Sequence, residues 1–321
     1  MERTDRTLRL ILLSLWIAIA VGLTGILVYG ISSGGSFWSG IRGMVFYKGG
    51  ESVLLKEESL PIGGISSLVF QTEEDSVLIT QSADDQMHIR QYGMADDETL
   101  KYTLDKTADK ITVTRKNRRF PFFNFSFGFS NPRLEIEVPA GYAGNLTVKT
   151  VSGEMGLGGD WKLGEIKFSS TSGDLSVTGI VSGSGFSAST VSGELWVNDI
   201  TAEDLSFSST SGDLMAERLA GSGKASTVSG EVMIKALEGA LDVNTTSGDV
   251  SIKDFNPIGS MSIGTVSGYV GIGLVPGAEA TFAAKSVSGD IDSDVGVISG
   301  KKAGDADIVI STTSGDIRIR Q

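Results

Sequence analysis

The residues best suited to chemistry are the acids of a short phrase, TVSGE or TSGD, that recurs nine times between Leu146 and Ile319. Its glycines are Gly153, Gly173, Gly193, Gly212, Gly230, Gly248, Gly268, Gly289 and Gly315, followed by Glu154, Asp174, Glu194, Asp213, Glu231, Asp249, Tyr269, Asp290 and Asp316. Regularly spaced carboxylates suit two chemistries. As hard oxygen ligands they hold calcium; as exposed corner groups they accept backbone hydrogen bonds while water and salt screen their repulsion. Stacked one per rung they form a column with a spacing of about 4.8 Å. The repeat lacks the tandem GGxGxD pattern of calcium-loaded solenoids. Solvated corner acids are therefore preferred, and Glu154, Asp174, Glu194, Asp213, Glu231 and Asp249 are the calcium candidates if a ladder forms.

Other chemistries find little support. The single histidine, His88, lies in QMHIRQ on a predicted strand, and the chain has no cysteine. A thiolate metal site and a cysteine nucleophile are excluded, and a Ser-His-Asp triad would have to use His88. Carboxylates alone cleave glycosides, but such a pair needs unequal environments, and the acids here are near-equivalent by position. The expectation is a protein that is not an enzyme, with no catalytic residue and no cofactor.

The elements that position the acids follow from the same alignment. Seven and five residues before glycine stand apolar pairs such as Ile166 and Phe168 or Leu241 and Val243; three before stands Ser or Thr; one before stands Ser in all nine copies. These four positions share a parity and are expected to face inward. After glycine the apolar positions are the second and usually the fourth, as in Leu175 and Val177, so the parity flips at Ser-Gly and predicts a corner, with glycine supplying its dihedrals. Copies 18 to 21 residues apart, with a last gap of 26, signal stacked units that cannot bury a core alone. The fold class is all-β: a β-solenoid, parallel β-helix-like, of about nine SG[DE] repeats with an irregular N-terminal β cap, preceded by one transmembrane helix. One repeat per rung is expected. Val and Thr alternate two residues before glycine over the first seven copies, which also suits a rung of two repeats.

The rest of the chain divides by composition. Residues 1–9 carry Arg3, Arg6 and Arg9 and form a cytoplasmic N-terminus; residues 10–31 hold no charge and are long enough to span a bilayer as a signal anchor. Ala18-Ile19-Ala20 also suits signal-peptide cleavage, but the apolar run continues past it. Residues 32–50 are a glycine-rich juxtamembrane linker, 51–141 an N-terminal β region and cap, and 142–321 the repeat domain. Within the cap, KNRRFPFFNFSFGFSNP sets Arg118 and Arg119 beside Phe122, Phe123 and Phe125. It reads as a strand covering the open end of the stack, or alternatively as a loop contacting the membrane. A net charge of −12, with 40% hydrophobic and 7% aromatic content, argues against nucleic acid as a partner and favours cationic ones.

The VPAG lead-in ahead of tandem TVSGE and TSGD phrases resembles the bacterial DUF4097 family of β-strand-repeat proteins, whose members are labelled adhesins; the likeness runs from about Ser52 to Gln321. With an N-terminal anchor ahead of it, the arrangement resembles LiaG-type membrane proteins encoded with envelope-stress systems. The resemblance implies a single-pass protein of the bacterial cell membrane with its C-terminal domain outside, binding a cell-wall or envelope component or a cationic peptide. An adhesin for a host or matrix polymer and a polysaccharide-active enzyme are the alternatives. With solvated acids, millimolar calcium is expected to leave the Tm unchanged; a stabilisation that disappears in Asp174→Asn plus Asp213→Asn would establish the ladder instead.

Overall fold

The computed structural model describes residues 52–93, 101–116, 132–296 and 307–321, all-β and without a helix among them. The anchor at 10–31, the linker, and the segment with Arg118, Arg119, Phe122, Phe123 and Phe125 lie outside the described residues. The N-terminal strands are β1 (Val53–Pro61), β2 (Ser67–Gln71), β3 (Ser76–Ser82), β4 (Gln86–Gly93), β5 (Thr103–Lys106), β6 (Lys110–Thr114) and β7 (Arg133–Pro139). The array begins with β8 (Asn145–Lys149), β9 (Met155–Leu157), β10 (Trp161–Lys162) and β11 (Glu165–Ser169). It continues through four long strands, β12 (Leu175–Ser189), β13 (Leu195–Ser208), β14 (Leu214–Ser226) and β15 (Val232–Asn244). Shorter strands close it: β16 (Val250–Pro257), β17 (Met261–Thr265), β18 (Val270–Leu274), β19 (Phe282–Ser286), β20 (Ile291–Ser293), β21 (Ile308–Thr312) and β22 (Ile317–Arg320).

The register shows one repeat per rung. Leu175 pairs with Leu195, Leu195 with Leu214, Leu214 with Val232 and Val232 with Val250, all in parallel. The two-repeat rung is thereby excluded. The predicted inward apolar pairs, such as Ile166 and Phe168 or Leu241 and Val243, are buried, and they stack on their equivalents one rung away. Phe168, Phe186 and Phe207 form an aromatic ladder with ring centroids 6.0 and 5.7 Å apart. The ladder stops at the next rung, where Gly223 and Ala225 pair with Leu205 and Phe207. Each fully buried Leu, Ile or Phe contributes about 2 kcal/mol.

Two features depart from chain order. At the C-terminal end β21 lies between β17 and β19, and β22 between β18 and β20. The rung of Gly315 is thus inserted between those of Gly268 and Gly289: the chain passes one rung, builds the last, and returns to fill the space. At the N-terminal end, β2 and β3 form a further rung that lacks the SG phrase. Leu68, Phe70, Val77 and Ile79 are buried in it, β2 pairs with β8, and β3 with β9. Its corner is Thr72 to Asp75, where the Thr72 hydroxyl donates to the Asp75 carbonyl at 3.1 Å. Beyond it β6 pairs with β2 and β7 with β3. Then the direction reverses: β5 on β6, β4 on β7 and β1 on β4 are antiparallel. Asp75, fully buried at the corner, is ion-paired with Arg115 of the outer rung. Burial pushes its carboxyl above the usual range, more than the guanidinium lowers it.

The corner itself corrects two expectations. The serine before glycine is exposed in all nine copies, whereas Gly153, Gly173, Gly193, Gly212, Gly230 and Gly248 are buried. The chain turns over two outward residues, Val or Thr and then Ser, so the glycine takes the inward place. Nor does glycine serve for its dihedrals, since none of the nine has a positive φ. It serves for proximity: a Cβ at Gly193 would lie 2.1 Å from the carbonyl oxygen of Gly173, and one at Gly212 would lie 1.7 Å from that of Gly193. At the first six corners, Gly153 to Gly248, the hydroxyl three residues earlier accepts a hydrogen bond from the glycine amide, from 2.6 Å at Ser170 to 3.0 Å at Thr150, which satisfies a buried donor. Gly193→Ala is expected to destabilise by about 3 kcal/mol. Gly63→Ala, where the added methyl meets nothing within 4 Å, is expected to be neutral. Thermal or chemical denaturation of the two variants checks the contrast.

Candidate functional site

The acids after glycine do form a column along the corner. Each aspartate of a TSGD copy reaches the next rung with one oxygen. Asp174 Oδ1 accepts from the Glu194 amide at 2.8 Å, Asp213 from Glu231 at 2.8 Å, Asp249 from Tyr269 at 2.8 Å, and Asp316 from Asp290 at 2.9 Å. Glu154, Glu194 and Glu231 make no such bond to the next rung. The last pair shows why the order of rungs matters. In the chain the residues two before glycine run Val, Thr, Val, Thr, Val, Thr, Val, Val, Thr. In space Thr313 precedes Val287, because Gly315 stacks on Gly268 and Gly289 on Gly315. Thr and Val then alternate without exception, and every Thr rung carries a capping aspartate.

The column is electrostatically coupled. Burial first, then the neighbouring Asp213 and Asp249, push the Glu231 carboxyl above its ordinary value of 4.5. Among the described residues no group of three or more His, Cys, Asp or Glu stands close enough to hold a metal ion.

His88 is not alone. Across the β1–β4 pair, Ser59 Oγ lies 2.7 Å from His88 Nδ1, and Asp84 Oδ1 lies 2.9 Å from Nε2. These are triad-like distances. However, Ser59 and Asp84 are exposed, and neither lines the two grooves described next, so those grooves would not hold an acyl group beside the hydroxyl.

Of those grooves, one of about 650 Å³ runs across the rungs beside the acid column. The third residues after the corners form its outward face: Leu78, Gly156, Ser176 and Trp196, paired in that order. Leu78 and Trp196 wall a low floor at Gly156 and Ser176; Glu154, Asp174 and Glu194 edge it. Reading the sequence for inward residues passed over this outward file, although the alignment on glycine puts a tryptophan in it. The second groove, of about 510 Å³, holds Arg218, already bonded to Asp199 at 2.9 Å and Glu238 at 3.2 Å.

A model of the family described as Toastrack DUF4097 matches residues 65–320. The chain belongs to this family. The Toastrack match begins in the loop ahead of β2, so it takes in the rung that lacks the SG phrase. No curated protein matches the chain. Among solved structures, a "putative lipid binding protein" from Parabacteroides distasonis is similar at 13% identity, with 82% of this chain and 96% of that one covered and a TM-score of 0.49. A "putative adhesin" from the same organism has 13% identity, coverages of 84% and 98% and a TM-score of 0.46. Another from Bacteroides fragilis has 13% identity, coverages of 83% and 95% and a TM-score of 0.41. None of the three is named as an enzyme, and at these scores the likenesses carry no argument about this Toastrack chain's activity.

The two kinds of acid should behave differently on substitution. Asp213→Ala removes an acceptor and is expected to cost about 1 kcal/mol, whereas Asp213→Asn keeps the oxygen and stays near wild type. A carboxyl whose pKa is raised on folding destabilises once ionised, so Glu231→Gln is expected to raise the Tm at pH 7. That advantage should vanish as the pH falls below about 4.5 and the wild-type carboxyl takes up its proton. Melting curves across pH 3 to 8 measure both.

Proposed function

We propose that the protein is a non-enzymatic, membrane-anchored β-solenoid whose rungs lie outside the cell and bind components of the envelope, in the manner of an adhesin-like domain serving an envelope-stress response. The observation that carries this reading is the corner ridge. Its Val or Thr residues repeat outward at every corner, with an acid at eight of the nine, along an open ridge. Catalysis asks for two groups pushed to different protonation states at one point; a ridge of like groups instead offers many weak contacts along a line, which suits an extended or multivalent partner. The negative charge of the chain favours a cationic partner over nucleic acid. The uncharged run at 10–31, with Arg3, Arg6 and Arg9 ahead of it, supports a single span that leaves the C-terminal domain outside.

Topology is tested with the full-length chain carrying a C-terminal epitope. It is expected in the carbonate-washed membrane fraction, with the epitope removed by protease added to intact spheroplasts while a cytoplasmic marker survives. An epitope protected until lysis would overturn the external placement.

A further inference from the structure

The groove beside the first three corner acids has the chemistry of a specific site, and it lies at one end of an otherwise repetitive ridge. Its far wall is Trp196, only partly buried; its near wall is Leu78, 45% exposed. The rungs between place glycine and serine on the floor, so the hollow exists because two successive outward side chains are small. One edge is anionic. Among the described residues Glu154 and Glu194 have no partner for their carboxylates, and Asp174 uses one oxygen, on the Glu194 amide. The cation among the lining residues, Arg133, is turned to its own surroundings, bonded to Glu135 at 2.7 Å and stacked over Tyr92 at 4.2 Å from the ring centroid. An apolar hollow bordered by unpaired carboxylates is complementary to a side chain of opposite pattern.

We propose that this groove binds a cationic, apolar peptide segment. A basic side chain lies along Glu154, Asp174 and Glu194 and meets the face of Trp196, while an adjacent apolar side chain fills the hollow over Ser176. This rests on the reading of the protein as an envelope-binding module and gives that module a ligand class and an address.

The test uses full-length protein in non-ionic detergent, titrated by fluorescence anisotropy with a labelled peptide of alternating arginine and leucine. Trp196→Ala, Ser176→Leu (which fills the hollow without changing charge) and Glu154→Gln plus Glu194→Gln are each expected to weaken binding by about tenfold. Glu231→Gln, on the same column but outside the groove, is expected to change it less than about twofold. Equal losses for Glu231→Gln and the groove double variant, with Trp196→Ala and Ser176→Leu unchanged, would overturn the groove while leaving a diffuse acidic ridge. Absence of any peptide binding by wild type would overturn the ligand class, and the protease experiment would still decide the topology on its own. Melting temperatures of the variants no lower than that of wild type exclude a folding defect as the cause.

Discussion

The contact on which the stack depends is that between the glycine of one corner and the carbonyl oxygen of the glycine one rung away. A Cβ there would sit between 1.7 and 2.3 Å from that oxygen at each of the eight SG phrases that stack on another, far inside contact distance. Only a residue without a side chain lets successive corners approach to β spacing, and that approach sets the registers of the strands on both sides. At the first six corners the hydroxyl three residues before glycine completes the device by satisfying its amide, so a sharp turn is made there with the donor paired. The Thr-x-x-Asp turn at Thr72 to Asp75 imitates the device at the array's start. There a side chain does occupy the glycine position, and it is housed by an ion pair to Arg115 rather than by empty space.

Because the constraint is local to each corner, it fixes spacing but not the order in which chain segments fill the rungs. The exchange of the last two rungs illustrates this. Gly315 meets the carbonyl of Gly268 just as Gly268 meets that of Gly248, although 47 residues separate the first pair and 20 the second. A rung is recognised by its fit, and the aspartate cap adds a second criterion. Asp316 finds the Asp290 amide as Asp249 finds that of Tyr269. The strict alternation of Thr and Val in space, broken in the chain, shows that rung neighbours rather than sequence neighbours are matched.

Inward residues were legible in the sequence because alternation with period two is a direct readout of strand geometry; Phe186, Leu205 and Leu241 lie where parity puts them. One repeat per rung was expected, but the Val and Thr alternation suited a rung of two as well, and only the strand register decides between them. The error about Ser followed from extending that parity one residue too far, across a turn whose exact position no periodicity marks. The placement of two rungs was not legible, for different causes. The rung of Leu68 to Ile79 was visible as two strands but lacks Ser and Gly, so it gave no phrase to align, and the Gly315 insertion is a long-range choice that no local pattern encodes. At the candidate site the acids were legible as a column, but the division between capping aspartates and free glutamates was not. It depends on which side chains meet an amide a whole rung away, which no local pattern displays.

The separation of core from surface gives the fold its functional latitude. Inward positions are held by stacking and by the glycine contact, and outward positions three residues after each glycine contribute little to either. They tolerate Gly156, Ser176, Trp196, Met215, Met233 and Ser251 in successive rungs without disturbing the register. Each such file is a line of independently variable side chains at fixed spacing. A hollow, a wall or a charge is made by changing one residue in one rung, at a cost near that of an ordinary surface substitution, within about 0.5 kcal/mol. A repetitive frame of this kind produces a specific site wherever the repeat is locally broken in its outward file, and Trp196 beside Ser176 and Gly156 is such a break.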